Sequence, residues 1–405
     1  MNNIDKIECA IWKMKNKKLE IRNKKHVEAA LDSFMLNIRF YFSKLLNKPF
    51  VGPHWVYISV TNRCPLDCKM CGVKYLDRSR ELSTAELKKI IQEVSSYKGD
   101  KTIMFTGGEP FLRKDIFELI EYSCSLGLPT EVVSNGQLID KELAGKIVSS
   151  GLRNIAVSLD GSTPKTHDFI RGMPGAFEKA TNALKLLSEE KKKRGRGPQI
   201  SVWTTMMRQN IPELYEILLL AKKLGADVIV YHPVIINQID MQKTIAEGPL
   251  WPDEASLKIL EKQLSRIIDY HNKNGFVAFL HDPNLFVKYF RGENLHAYWQ
   301  CNPFEFLNIG PDGNMQTCGD TFGNAKDGVK FAWDSERAAA ERAKMKQCTK
   351  SCLQTCWARP DAESIVKITR RLIAEIKSAD IKKEEKIRIL SNALSEIEKF
   401  EKMIA

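Results

Sequence analysis

The sequence predicts an α/β fold in which a parallel sheet is joined by crossover helices. Six apolar or β-branched runs predict strands at residues 55–61, 101–105, 130–133, 154–159, 200–205 and 227–231. Amphipathic segments near 84–97, 115–126, 140–150, 175–190 and 211–224 alternate with these runs and predict helices. Strands that alternate with helices at this interval form β–α–β units, so we expect six such units in one sheet.

The bulk properties limit the classes of protein that remain. The chain has 405 residues, enough for one large domain with extensions or for two domains, and 43% hydrophobic residues support a substantial core. No run approaches the roughly 20 apolar residues of a membrane span, and the N-terminus has no signal-peptide pattern. We therefore expect a cytoplasmic protein.

The N-terminal extension, residues 1–52, is basic and helical in pattern. A basic stretch at 13–25 precedes an apolar stripe at helical spacing that runs from Leu31 to Leu46. Packing of this stripe on the protein itself is favoured, while peripheral contact with an anionic membrane or a lipid-linked substrate is left open. Nucleic-acid binding is not expected, because no RNA-binding module accompanies the net charge of +12. The second basic run, 191–196, is expected to be a solvated loop.

Three cysteines directly follow the first predicted strand. Cys64, Cys68 and Cys71 can bind one face of a small inorganic cluster and leave one metal position without a protein ligand. A cluster used only for electron transfer usually takes four cysteines, and structural zinc usually takes four nitrogen or sulfur ligands. The ten cysteines fall mostly in two groups, which suits a reducing compartment better than disulfides.

Polar and glycine-containing loops follow the next three predicted strands, where the carboxyl ends of parallel strands meet. A Gly-Gly-Glu-Pro run at 107–110 follows the second strand, and a Ser83-Thr84-Ala85-Glu86 capping box begins the first helix. Two glycines permit a close backbone approach to a ligand. Short polar residues after the third and fourth strands either face a ligand or satisfy their own turns.

The cysteine spacing and these loops resemble the radical S-adenosylmethionine (SAM) superfamily. The resemblance implies a partial (βα)6 TIM-like barrel over 53–290, with a 4Fe–4S cluster on the three cysteines. SAM would bind the open iron and, on reductive cleavage, give a 5′-deoxyadenosyl radical that abstracts hydrogen from a substrate. The SAM contacts implied are Met70, Gly107, Gly108, Glu109, Pro110, Ser134, Asn135, Ser158, Asp160 and Arg171.

A second group of cysteines lies in residues 291–361. Cys301 and Cys318 flank two short apolar strands joined by Pro311-Asp312-Gly313, a sequence typical of a hairpin turn, and Cys348, Cys352 and Cys356 follow. The arrangement resembles the opening of the SPASM/twitch extension, although the full set of seven cysteines is not present. Five cysteines predict one auxiliary 4Fe–4S cluster on Cys301, Cys318 and two of the other three, with zinc as the alternative. The tail, 362–405, is expected to form packing or dimerisation helices.

The expected reaction is oxidation or epimerisation of a small-molecule, sugar or lipid-linked substrate, with flavodoxin or ferredoxin as reductant. Alternatives are ribosomal peptide maturation, RNA modification and a non-catalytic iron–sulfur carrier or sensor. The short N-terminal extension makes peptide maturation less favoured, because such enzymes commonly carry a larger leader-binding module. The residues expected to accept a proton from substrate are Asp240, Glu247, His281 and Asp282.

Overall fold

The computed structural model describes residues 35–36, 38–97, 101–235, 248–278, 282–295, 302–348 and 352–353, with the single positions 384, 388 and 391. Several predicted features therefore lie outside the described residues. These are the basic stretch 13–25, almost all of the 362–405 tail, and the candidate site residues Asp240, Glu247, His281, Cys301 and Cys356.

Ten strands form one open sheet in the described part of the chain, in the order β10–β9–β8–β1–β2–β3–β4–β5–β6–β7. The strands are β1 Trp55–Thr61, β2 Thr102–Gly107, β3 Thr130–Ser134, β4 Asn154–Ser158, β5 Gln199–Met206, β6 Val228–Pro233, β7 Val277–Ala278, β8 Phe306–Ile309, β9 Asn314–Gln316 and β10 Gly323–Asn324. The strands from β8 through β1 to β7 in this order pair in parallel with their neighbours. The pairs β8–β9 and β9–β10 are antiparallel. The predicted partial barrel is confirmed.

The described helices are α1 Thr84–Ser95, α2 Ile116–Ser125, α3 Lys141–Ser149, α4 Pro164–Arg171, α5 Ala176–Arg194, α6 Leu214–Lys223, α7 Glu254–Asn274, α8 Asn284–Phe290, α9 Val329–Asp334 and α10 Glu336–Lys346. The five predicted helices correspond to α1, α2, α3, α5 and α6, and the capping box of Ser83 and Glu86 is confirmed. The loop prediction at 191–196 is wrong, because α5 continues to Arg194 and ends at Gly195 in the left-handed conformation. Lysine and arginine are good helix formers, and their charges are favourable at a helix C-terminus.

The two faces of the sheet differ in character. Along β1, Val56, Ile58 and Val60 are buried and join the helices in the main apolar core. The alternate residues, Trp55 and Tyr57, point to the opposite, concave face and are only partly buried. The concave face is thus the polar and aromatic interior of the partial barrel.

The second cysteine segment joins the same sheet. β8 pairs in parallel with β1, from Trp55 opposite Phe306 to Ile58 opposite Ile309, and a turn through Gly313 returns the chain into β9. Because β9 runs antiparallel to β1, the residues after β9 lie towards the amino-terminal end of β1. Cys318 and Cys64 therefore lie towards opposite ends of this strand.

The described part of the N-terminal stripe packs on the protein. Residues 38–46 are helical, and Phe40 and Phe42 are buried, with Phe40 in the main core. Among all the helices that the structure describes, none combines the length and the apolar character needed to cross a bilayer.

Candidate functional site

A cleft of about 230 Å³ opens at the carboxyl ends of the parallel strands. The predicted site residues that line it are Cys64, Cys68, Met70, Cys71, Gly107, Gly108, Ser134, Asn135, Ser158 and Arg171. The sequence analysis did not single out Thr106, Val133 and Thr205, which line the same cleft at the ends of β2, β3 and β5. Thr205 was the last residue of a predicted strand, so the strand-end rule could have identified it.

On one side, the cysteine loop is fixed by Gly107 and Gly108, at the end of β2. The Gly108 amide donates to the Thr61 carbonyl at 2.7 Å, and the Glu109 amide donates to the Arg63 carbonyl at 2.8 Å. A Cβ atom on Gly108 would overlap the carbonyl oxygen of Arg63. These glycines therefore permit close contact with the protein's own backbone, in addition to lining the cleft.

On its other side the cysteine loop is fixed by the C-terminus of α4. The Lys69 amide donates to the Ile170 carbonyl at 2.8 Å. Gly172 ends α4 with φ of 68°, and a Cβ atom there would overlap the carbonyl oxygen of Asp67. The loop that carries the three thiols is therefore held in place between β2 and α4.

Two polar side chains donate to the thiols. Asn135 Nδ2 lies 3.5 Å from Cys64 Sγ, and Arg171 Nη1 lies 3.8 Å from Cys68 Sγ. Burial raises the pKa of Cys68 to about 11, so the free thiol is protonated and iron must displace that proton. Hydrogen bonds to sulfur stabilise thiolate ligands and tune an iron–sulfur centre.

The arrangement of the cysteines fits a cluster better than a single ion. In the described residues, no three histidine, cysteine or acidic side chains are close enough to hold one metal ion. Cys64, Cys68 and Cys71 nevertheless share one cleft, where each could bind a different iron of a larger centre. The donor set of three thiols with N–H donors to two of them is suited to such a group.

Glu109 supports the cleft from within the protein. Its side chain is fully buried and accepts hydrogen bonds from Ser134 Oγ at 2.9 Å and from the amides of Asn135 at 2.8 Å and Phe111 at 3.2 Å. Burial raises its pKa to about 7. Neither Glu109 nor Pro110 lines the cleft, whereas Gly107 and Gly108 do.

Arg171 and Asp160 form a buried ion pair behind Cys68. Arg171 Nη2 lies 2.7 Å from Asp160 Oδ2, and Asp160 Oδ1 accepts from the Thr205 amide at 2.7 Å. Arg171 lines the cleft, whereas Asp160 is fully buried and does not. Asp160 therefore orients the Arg171 side chain and contacts the backbone of β5, while Arg171 itself lines the cleft.

Cys318 and Cys348, two cysteines of the second group, lie near the contact between the end of β9 and α10. Thr317 Oγ1 donates to Met345 Sδ at 3.1 Å. Cys318 is the next residue after Thr317, and the Cys348 amide donates to the Met345 carbonyl at 3.2 Å. Cys318 is exposed, while Cys348 and Cys352 are partly buried. The fold thus directs two cysteine-bearing segments to one region.

The described candidate for proton acceptance does not reach the cleft. Asp282 precedes α8, and its Oδ1 accepts from the backbone and the side-chain nitrogen of Asn284, both at 2.9 Å. The concave face instead carries His232 on β6, beside the ring of Trp203 at 4.8 Å between centroids. His232 Nε2 is buried and has no hydrogen-bond partner among the described residues, and burial lowers the pKa of the imidazole to about 4.

Comparison with known proteins agrees with this geometry. Residues 58–221, less than half of the chain, match the model of the radical SAM superfamily. An AdoMet-dependent heme synthase of Methanosarcina barkeri is 35% identical over 183 residues, which are 45% of this chain and 50% of that protein. A PqqA peptide cyclase of Rhodopseudomonas palustris is 28% identical over 305 residues, 71% of this chain and 74% of that protein. The chain spans half or less of the heme synthases that it matches.

Solved structures show the same fold at low identity. Streptococcus suis SuiB bound to S-adenosylmethionine superposes with a TM-score of 0.59 at 16% identity, covering 78% of this chain and 73% of SuiB. The enzyme anSMEcpe, with bound AdoMet and the Kp18Cys peptide, gives 0.58 at 14% identity, covering 85% of this chain and 99% of that one. Residues 58–221 are therefore identified as a radical SAM domain, and members of that superfamily use a 4Fe–4S cluster and S-adenosylmethionine.

Proposed function

We propose that this protein binds a 4Fe–4S cluster through Cys64, Cys68 and Cys71 and uses SAM in the adjoining cleft to abstract hydrogen from a substrate. The observation that carries this proposal is the cleft itself, in which three thiols on a fixed loop meet polar groups from four strand ends. When bound, the cluster and SAM supply reductive carbon–sulfur cleavage, which yields a radical able to remove hydrogen from an unactivated carbon.

The protein's own groups have separate tasks in this proposal. The three cysteines hold the cluster, and Asn135 and Arg171 donate to two of the sulfurs. The backbone at Gly107 and Gly108 offers the polar groups of SAM a surface without side chains. Hydroxyl groups of Ser158 and Thr205 face the same cleft from β4 and β5 and suit the ribose.

We propose an auxiliary 4Fe–4S cluster for the second cysteine group. Cys318, Cys348 and Cys352 would contribute ligands, with Cys301 or Cys356 completing the set. The Thr317–Met345 contact supports this assignment because it brings the two cysteine-bearing segments together. Such a group would supply an acceptor for a second electron when a substrate is oxidised.

The first substrate class to test is a peptide. The match to a PqqA peptide cyclase extends over 71% of the chain, whereas the match to the heme synthase of Methanosarcina barkeri covers 45% of it. We propose that the peptide side chain enters the concave face near Trp203 and His232. The unpartnered Nε2 atom of His232 is suited to accept a hydrogen bond or a proton there.

Anaerobic reconstitution tests the cluster assignment directly. Iron and sulfide are counted, and SAM cleavage to 5′-deoxyadenosine is followed with dithionite. We expect about eight irons in the wild type and about four in a Cys64/Cys68/Cys71→Ala variant that no longer cleaves SAM. Cys124→Ala is the matched control, because Cys124 lies on α2 outside both groups. A fully loaded protein that leaves SAM intact would contradict the enzymatic proposal.

The second group is tested by the Cys318/Cys348/Cys352→Ala variant. We expect about four irons and intact SAM cleavage, because the SAM cleft does not depend on these thiols. Zinc in the reconstituted wild type at this group, with only about four irons, would contradict the auxiliary cluster. The peptide assignment is tested separately, by mass spectrometry of candidate peptides for the loss of two hydrogens.

A further inference from the structure

One end of the barrel carries an excess of positive charge. The helices α5, α6 and α7 end where the strands β5, β6 and β7 begin, at the opposite end of the sheet from the cleft. Segments 189–196, 222–227 and 269–275 form these helix ends and contain eight lysines and arginines but four acidic residues. The basic run 191–196 is thus part of a larger basic surface.

Side-chain contacts join the three helix ends. Lys191 Nζ lies 2.6 Å from Asp227 Oδ2, which connects the end of α5 with the turn between α6 and β6. Lys222 Nζ, near the end of α6, lies 4.8 Å from the centre of the Phe276 ring, which follows α7. The cations of the three segments therefore lie on one continuous surface.

The protein itself does not neutralise this charge. Glu190 pairs with Lys193 at 3.7 Å and with Arg194 at 3.4 Å. The helix dipole favours cations in a last turn, but Arg196 lies beyond the end of α5, so the excess is larger than helix stability requires. Within the described part of the chain, no ion pair involves four exposed cations of this surface, which are Lys192, Arg196, Lys223 and Lys273.

An exposed apolar residue lies towards the same end of the sheet. Leu45 is 52% exposed near the end of the N-terminal helix, and Lys48 is exposed three residues later. The chain enters the amino end of β1 seven residues after Lys48. The basic stretch 13–25, outside the described residues, precedes this helix in the sequence. An exposed leucine among cations suits the boundary between lipid headgroups and acyl chains better than a nucleic acid, which offers phosphates but no apolar layer.

We infer that the amino-terminal end of the barrel binds the surface of an anionic lipid bilayer. The contacts are made by the basic surface, defined by Lys192, Arg196, Lys222, Lys223 and Lys273, and by Leu45. Lysines and arginines close to such a bilayer each add to the attraction, and a bilayer is wide enough to meet both parts of the protein at once. The cleft, at the carboxyl ends of the strands, faces away from the bilayer. The inference does not depend on the proposed function, because neither cluster nor SAM takes part.

Sedimentation of the full-length protein with vesicles tests the inference. Vesicles of phosphatidylcholine alone are compared with vesicles that also contain the anionic lipid phosphatidylglycerol. The test variant, K192Q/R196Q/K223Q/K273Q, removes four cations from the basic surface. The matched control, K114Q/K141Q/K165Q/K258Q, removes four exposed lysines near the starts of α2, α3, α4 and α7, at the other end of the sheet. L45S and its control I259S each replace an exposed apolar residue with serine.

We expect the wild type to sediment with the anionic vesicles only and to be released by high salt. The test variant should bind these vesicles at least about tenfold more weakly, with the double variant K192Q/R196Q between it and the wild type. L45S should bind about threefold more weakly, and both controls should bind as the wild type does.

Three outcomes would overturn the inference. The first is a wild type that does not bind the anionic vesicles. The second is an equal loss in the test variant and its matched control, because net charge rather than this surface would then explain the binding. The third is displacement of the wild type from the vesicles by transfer RNA at an equal phosphate concentration, which would assign the surface to nucleic acid.

Discussion

Gly172 controls the position of the cysteine loop, and Gly175 offers a comparison. Both adopt the left-handed conformation, with φ of 68° and 80°. A Cβ atom on Gly172 would overlap the Asp67 carbonyl, whereas one on Gly175 would meet nothing within 4 Å. The two positions therefore share the conformational cost of substitution and differ in the steric cost.

We predict that Gly172→Ala lowers iron content and destabilises the protein, whereas Gly175→Ala has a small effect. The left-handed conformation costs alanine about 1 kcal/mol at both sites, and overlap with Asp67 adds about 1–3 kcal/mol at Gly172 alone. Chemical denaturation and iron analysis of the two variants measure the difference. Equal losses at both positions would contradict the clamp between α4 and the loop.

Glu109 gives a prediction about pH. Its folded pKa of about 7 lies above the ordinary value of 4.5 because the carboxyl is buried. Well below pH 4.5 the group is protonated in both states. As pH rises towards 7, the unfolded chain releases the proton and the folded chain retains it, so the stability of the folded state falls.

We expect this loss to amount to about 3 kcal/mol in the protein without its cluster. Urea denaturation from pH 4.5 to 7.5 measures the slope, with E109Q as the control. Glutamine cannot titrate, and its amide leaves the Asn135 amide without an acceptor. E109Q should therefore be less stable than the wild type at pH 4.5, and its free energy of unfolding should not fall as the pH rises. Equal pH dependence of stability in the two proteins would refute the raised pKa of Glu109.

The sequence predicted the loops that form the site well, but it predicted the role of each residue in those loops less well. Gly107, Gly108 and Ser158 line the cleft from strand ends, and Arg171, which the family resemblance implied, lines it from the end of α4. Asp160 and Glu109 are turned into the protein instead. Their partners, such as Arg171 and Asn135, are brought close only by the folded sheet, so no local pattern could reveal the contact.

Among the elements, the first helix offers the clearest test of local sequence rules. Ser83 and Glu86 form a reciprocal capping box at the start of α1. We predict that Ser83→Ala costs about 1 kcal/mol, because an amide of the first turn loses its acceptor. Glu86→Gln keeps an acceptor for the Ser83 amide and should cost only a few tenths of that. Similar losses for both would show that charge, rather than capping, stabilises this end.

Periodicity identified β1 to β6 because each has a run of apolar residues buried against helices. It did not identify α4, which has only eight residues, or α7, although Asp253 and Gly275 mark the two ends of α7 in the sequence. The turn at 310–313 predicted the hairpin of β8 and β9. Its attachment to the edge at β1 could not be predicted, because strand pairing over that separation depends on packing rather than on local sequence.

At the scale of the whole molecule, one core links the barrel with the second cysteine segment. Trp333 and Leu353 belong to the same apolar cluster as the buried residues of the barrel strands. Trp333 Nε1 donates to the Val51 carbonyl at 3.3 Å, and Asn47 Nδ2 donates to the Ala339 carbonyl at 2.9 Å. The predicted division between 53–290 and 291–361 stays a prediction, and the sheet runs through both ranges.

We therefore predict that the described core unfolds in one cooperative transition. Tryptophan fluorescence is compared between W203F, which removes a barrel reporter, and W333F, which removes a reporter near α10. Within each variant, the midpoint of denaturation from tryptophan fluorescence should equal the midpoint from far-ultraviolet circular dichroism. A transition that precedes the others in W203F, where Trp333 still reports, would indicate that the second segment unfolds on its own.

The hydrogen bonds that hold the cysteine loop between β2 and α4 are made by the polypeptide alone. The spacing of the three thiols is therefore set by two elements that lie far from the loop in sequence. A substitution that shifts β2 or α4 is expected to move the cysteines even when the loop itself is unchanged.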